Sequence, residues 1–81
     1  MDNENGRPMT YGEGAVGLNF NPDGSEAVNT IKRRYAEVID FLNHVRDTAD
    51  DPEKKRLCSI AITEAQGAQM WAVKAITWET K

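Results

Sequence analysis

The stretch Asp47-Thr48-Ala49-Asp50-Asp51-Pro52-Glu53 decides the fold, because it is a short acidic link between two long runs of helical periodicity. Asp51 has the side chain of a good N-cap, and Pro52 follows at the first helical position, where its missing N–H costs nothing. Glu53 then places a carboxylate in the first turn, near the positive end of the helix dipole. The run before the link reaches back from Thr48 to about Ser25, and the run after it extends from Pro52 to about Trp78. So short a connection between helices of this length predicts an antiparallel hairpin. At about 1.5 Å rise per residue each helix spans on the order of 35–40 Å.

The first helix has Asp23 or Ser25 available as a cap and Glu26 in its first turn. Its apolar positions Val28, Ile31, Tyr35, Val38, Leu42 and Val45 alternate in steps of three and four, the period of a knobs-into-holes seam. Ile39 and Phe41 widen that surface beyond one stripe. The second helix is rich in small residues, Ala61, Ala65, Gly67, Ala68, Ala72 and Ala75, which let helix axes approach closely. Between them stand Leu57, Ile60, Ile62, Met70, Trp71, Val73, Ile76 and Trp78, so nearly every side of the helix is apolar. A helix of that kind is normally buried in a larger core. Two helices cannot surround each other, which predicts a homo-oligomer, with Trp71 in its core. Size agrees: a chain of 81 residues is near the limit at which one core suffices, and a lone cysteine, Cys58, allows no internal disulfide.

Residues 1–24 form an N-terminal arm and residues 25–81 the helical hairpin, a single domain overall. The arm holds five of the six glycines and two of the three prolines. Each interior glycine costs roughly 1 kcal/mol against alanine, so Gly12-Glu13-Gly14-Ala15-Val16-Gly17 is expected to form no stable helix. Asn21-Pro22-Asp23-Gly24 is a turn signature. Tyr11, Val16, Leu18 and Phe20 nevertheless predict that the arm packs on something.

Composition excludes several classes. A net charge of −3 argues against a general binder of DNA or RNA. No apolar run approaches the roughly 20 residues of a membrane span, and the polar start Met1-Asp2-Asn3-Glu4-Asn5 is unlike a signal peptide. A single free cysteine fits a reducing cytoplasm. Catalysis has no support: no serine, histidine and acid constellation is present, so no catalytic residue is expected. Gly12-Glu13-Gly14-Ala15-Val16-Gly17 has the spacing of a dinucleotide fingerprint but lacks room for the strand and βαβ unit it needs. His44 reads as a surface or interface histidine, and Cys58 as a small hydrophobe. The acidic link lacks the spacing of a calcium loop, so no metal or cofactor is expected.

The residues that could hold a ligand are basic and aromatic. Lys32, Arg33 and Arg34 fan over about 200° of helix and can line sites shared with different neighbours in an oligomer. Lysine binds phosphate as a point charge and arginine as a planar fork. Tyr11 or Phe20 could stack on a base. Competing structural roles exist: Arg33 can pair with Glu37 one turn on, and Phe20 can staple the helix start. Lys54, Lys55 and Arg56 open the second helix against its dipole, a local conflict that something anionic nearby would relieve.

The blocks Gly17-Leu18-Asn19-Phe20-Asn21-Pro22, Ile31-Lys32-Arg33-Arg34-Tyr35-Ala36 and Ile39-Asp40 resemble the phage anti-CBASS sponge family, whose helical-hairpin domain is shared with phage anti-Thoeris sponges. Ala61-Ile62-Thr63-Glu64-Ala65 and Met70-Trp71-Ala72-Val73-Lys74-Ala75-Ile76 carry the same resemblance, which covers about residues 10–78. It implies a compact homohexamer in the host bacterial cytoplasm that sequesters cyclic oligonucleotide second messengers without cleaving them. By resemblance, Phe20 stacks on a base of a cyclic dinucleotide between protomers and Lys32 meets its phosphates. Family members tend to carry tyrosine where Phe20 stands, and Tyr11 is a second source of that hydroxyl. Asn21 and Arg56, supported by Arg33 or Arg34, are the corresponding candidates for a separate cyclic trinucleotide site. Two other readings stand beside this one: an anti-Thoeris sponge for a cyclic ADP-ribose-type signal, and a ligand-free helical interaction module.

Overall fold

The structure, a computed structural model, describes residues 6–21 and 24–79. It is all-helical, with helices α1 (Tyr11–Ala15), α2 (Glu26–Thr48) and α3 (Pro52–Ile76), and no strand element among the described residues. The Ser25 hydroxyl accepts from Val28 N–H at 3.3 Å and caps α2. Asp51 accepts from Glu53 N–H at 2.9 Å and caps α3, with Pro52 next to it. Asp23, the other candidate cap, lies outside the described residues. The turn signature closes through Gly24, whose N–H donates to Asn21 O at 3.0 Å and whose φ of +63° favours glycine.

α2 and α3 run antiparallel. Arg46 on α2 donates to the Ser59 hydroxyl on α3 at 3.0 Å, near the link. Further along, Ile39 packs with Ile62. Lys32 and Gln69 then line one cavity at the far end. Lys55 reaches back across the link and donates to Arg46 O at 2.9 Å. Arg56 forks onto the Glu53 carboxylate at 2.7 and 2.8 Å. Those two contacts relieve locally the conflict between the basic cluster and the dipole of α3.

Two expectations are corrected. The glycine-rich segment does form a helix. Thr10 and Glu13 cap α1 reciprocally, at 3.0 Å each way. Gly12 N–H also donates to Asp40 Oδ1 on α2 at 2.7 Å, so the glycine penalty is offset by bonds that local propensity does not count. The apolar seam of α2 is also rotated. Its buried residues are Val28, Lys32, Ala36 and Ile39, whereas Val38 is 50% exposed; Tyr35 and Leu42 pack at the edge of the core. Glu37 pairs with Arg34, at 3.4 Å.

Gly12 explains how closely α1 approaches α2. A Cβ at this position would collide with the Ala36 carbonyl oxygen and stand 2.9 Å from Asp40 Oδ1. Backbone cannot yield as a flexible side chain does. Gly12→Ala therefore lowers stability by about 1–3 kcal/mol, the usual cost of overpacking, and a denaturant melt with unchanged midpoint would count against this docking.

The core is small: Val16 and Leu18 from the arm, Ala36 and Ile39 from α2, and Ile62 from α3. The molecule measures 49 × 32 × 14 Å, and its radius of gyration of 14.0 Å exceeds the roughly 12 Å expected for a compact chain of this length. The thinnest dimension is close to one helix diameter, about 10–12 Å, so the helices form a single layer. Phe41, Leu57, Met70, Trp71 and Trp78 consequently stand exposed in the single chain. Trp71, at 71% exposure, is thus no part of the protomer's own core.

Candidate functional site

Packing of the arm onto the far end of the hairpin creates the site. After α1 the chain turns at Gly17, with φ of +63°, and Phe20 N–H donates to Gly17 O at 2.8 Å. Val16 and Leu18 point into the core and anchor this turn. Gln66 on α3 donates from Nε2 to Ala15 O at 3.3 Å and ties the arm to the second helix. The arm thereby bridges both helices.

Lys32 is the centre of this construction. It is 5% exposed, and its ammonium donates to Gly17 O at 3.0 Å and to Phe20 O. A charge is buried only where hydrogen bonds replace water, and these two carbonyls do so. Burial still pushes the Lys32 ammonium below the ordinary lysine value of 10.5. An ammonium has three protons, so the two carbonyls leave one donor for another oxygen. The Phe20 ring, 74% exposed, lies with its centroid 5.6 Å from Lys32 Nζ. A cation close to an open aromatic face combines a phosphate contact with a stacking surface.

Phe20 and Lys32 line a cavity of about 500 Å³ together with Gly17, Gln66, Gln69 and Met70. That volume falls in the ordinary range for small-molecule sites, roughly 300–1,000 Å³. A smaller recess of about 120 Å³ shares Phe20 and Lys32 and adds Asn21, Val28 and Val73.

The other candidates are placed elsewhere or are engaged otherwise in the single chain. Asn21 uses both ends of its amide on Ser25, donating to Ser25 O at 2.9 Å and accepting from Ser25 N–H at 3.2 Å. Tyr11 is half exposed, with the Arg46 guanidinium 5.4 Å from its ring centroid, and it does not line the Phe20–Lys32 cavity. Arg33 and Arg34 lie on α2 outside that cavity, Arg34 exposed beside Glu37. Arg56 is exposed at the opposite end of the hairpin, and its guanidinium holds the Glu53 carboxyl below the usual range. Within one protomer, then, Phe20, Lys32 and Asn21 come together, and Tyr11, Arg33, Arg34 and Arg56 do not join them.

Sequence reasoning missed the α3 wall, Gln66, Gln69, Met70 and Val73. Their spacing of three or four residues was a usable signal, since it puts all of them on one helix face.

A family model described as "Acb2/Tad1, hairpin domain" matches residues 13–77. No curated protein and no solved structure matches the chain.

Proposed function

The chain belongs to the Acb2/Tad1 hairpin family, the anti-CBASS and anti-Thoeris sponges of phages, and from that premise we propose that it is an anti-CBASS sponge. In this reading it assembles as a homohexamer in the host bacterial cytoplasm and captures cyclic dinucleotides stoichiometrically, without cleaving them. The observation that carries it is the pairing of an open aromatic ring, Phe20, with a buried ammonium that keeps one donor, Lys32, in one cavity. A base stacks on Phe20 while a phosphate oxygen takes the remaining proton of Lys32. Stacking is worth roughly 1–3 kcal/mol per base, and the charged hydrogen bond a comparable amount. Neither contact strains the ligand toward a reaction. Asn21 and Arg56 are proposed for a second, cyclic trinucleotide site at which different protomers meet, with Arg33 or Arg34 in support; their separation within one chain requires that arrangement.

Calorimetry with cyclic dinucleotides, cyclic trinucleotides and cyclic ADP-ribose isomers tests the reading. Submicromolar binding of the dinucleotides supports it. Binding of the cyclic ADP-ribose isomers alone would make the protein an anti-Thoeris sponge, and binding of nothing would leave a protein-interaction module.

Lys32 also sets a pH dependence. Its lowered pKa means that the ammonium is lost at a pH below the ordinary lysine range, so ligand affinity falls as pH rises through that lowered value. Stability moves the opposite way over the same interval, because the unfolded chain binds more protons there. Titrations of affinity and of melting midpoint between about pH 7 and 10.5 check both signs. An affinity flat across that interval would remove Lys32 from the phosphate contact.

A further inference from the structure

Gly12, Gly14 and Gly17 punctuate the arm around α1, and the fold explains two of them. Gly12 has no room for a Cβ against the Ala36 carbonyl, and Gly17 takes a φ of +63°. Gly14 has neither reason. It lies inside α1, where its N–H donates to Thr10 O at 3.1 Å. Its φ is outside the left-handed region, and a Cβ built on it meets nothing within 4 Å. Any residue except proline would favour the helix more at this position. The fold thus gives up stability at Gly14 and gains nothing for it within the protomer. Local sacrifices of this kind are expected at functional sites. Gly67 on α3 is equally open, but it borders neither hollow beside Phe20.

Gly14 borders both of those hollows. One is the cavity of about 500 Å³ that holds Lys32. The other, about 310 Å³, is lined by Met9, Gly14, Gly17, Asn19 and Phe20, with no charged side chain among them. Gly14, Gly17 and Phe20 are common to the two. The bare backbone of the two glycines is therefore a strip between a cation on one side and a largely apolar recess on the other. We infer that Gly14 is a ligand-contact residue, kept without a side chain so that the sugar of the captured nucleotide can cross the backbone there. The inference rests on the sponge reading and adds a residue to its site. A nucleotide has the matching order: a flat base, then a sugar, then an anionic phosphate. With the phosphate at Lys32 and the base against Phe20 in the uncharged recess, the sugar is left over the glycine strip. Glycine is the residue that lets a ligand come close to the backbone, and a side chain at Gly14 would take the space the sugar needs.

The test uses the full chain with cyclic di-adenylate, cyclic di-guanylate and cyclic GMP–AMP, and takes as probe whichever wild type holds most tightly. Gly14→Ala and Gly14→Leu put better helix formers into open space, so both should keep the assembly and hold or raise the melting midpoint without ligand. Both should weaken the probe, leucine more than alanine, with a loss for leucine of roughly 5- to 150-fold, the cost of overpacking read as affinity. A glycine needed by the fold would move stability down instead. Gly14→Leu with unchanged affinity overturns the inference. So does a lower melting midpoint for Gly14→Ala, which would return the glycine to the fold, and so does a broken assembly in either variant, which would mean that Gly14 faces a neighbouring chain. Failure of wild type to bind any of the three rings overturns the cyclic dinucleotide reading and this inference with it; the preceding outcomes overturn this inference alone.

Discussion

Trp71→Ala disperses the assembly: the mass in solution falls toward the 9.1 kDa of one chain at concentrations where wild type stays associated. Trp71 is 71% exposed in the protomer, and Met70 beside it on α3 and Trp78 just past the end of α3 are exposed with it. The Lys74 ammonium, 5.4 Å from the Trp71 ring centroid, shields part of one face only. An indole so placed contributes little to the protomer's own packing. Buried against another chain it acts as an interface anchor, and truncating such an anchor costs about 2 kcal/mol or more, at least thirtyfold in dissociation constant. A single layer of helices about as thick as one helix offers it no other cover. Sedimentation across a dilution series reads the effect, and a mass that matches wild type at every concentration would contradict it.

Lys32→Met gives the largest loss of ligand. The replacement keeps the length of the side chain and removes the charge. Protein stability changes little, because the cost of burying the ammonium disappears along with its bonds to Gly17 O and Phe20 O. Affinity falls by about 2–5 kcal/mol, thirtyfold or more, since a phosphate then faces the cavity without its charged partner. Lys32→Arg does not rescue, because a planar guanidinium cannot reproduce a point ammonium between two carbonyls. The assembly persists in both variants. Calorimetry beside sedimentation separates the effects, and a collapse to monomers in Lys32→Met would reassign this residue from ligand to interface.

The long helices were legible because their ends are written locally. Ser25, Asp51 and Pro52 act on backbone groups within three residues of themselves, so no tertiary knowledge is needed to read them. α1 was not legible, since the bond from Gly12 N–H to Asp40 crosses 28 residues. The seam of α2 was misjudged at Lys32 for the same kind of reason. A lysine is normally taken as a surface residue, and only the arm carbonyls, 12 and 15 residues away, make its burial tolerable. Once Lys32 is admitted to the buried face, the seam passes through Val28, Ala36 and Ile39, and Val38 turns outward. Of the site, Phe20 and Lys32 were readable as an aromatic and a cation near one another. Gln69 was not, because glutamine in an otherwise apolar helix looks like solvent-facing polarity until the cavity is seen.

The central claim is that several copies of this chain together hold an intact cyclic nucleotide. Native mass spectrometry of the purified protein mixed with a cyclic dinucleotide measures copy number, occupancy and ligand mass in one spectrum. The expected spectrum shows six chains carrying unhydrolysed ligand, released at its original mass on denaturation. A bare single chain, or a ligand heavier by one water, would contradict the claim.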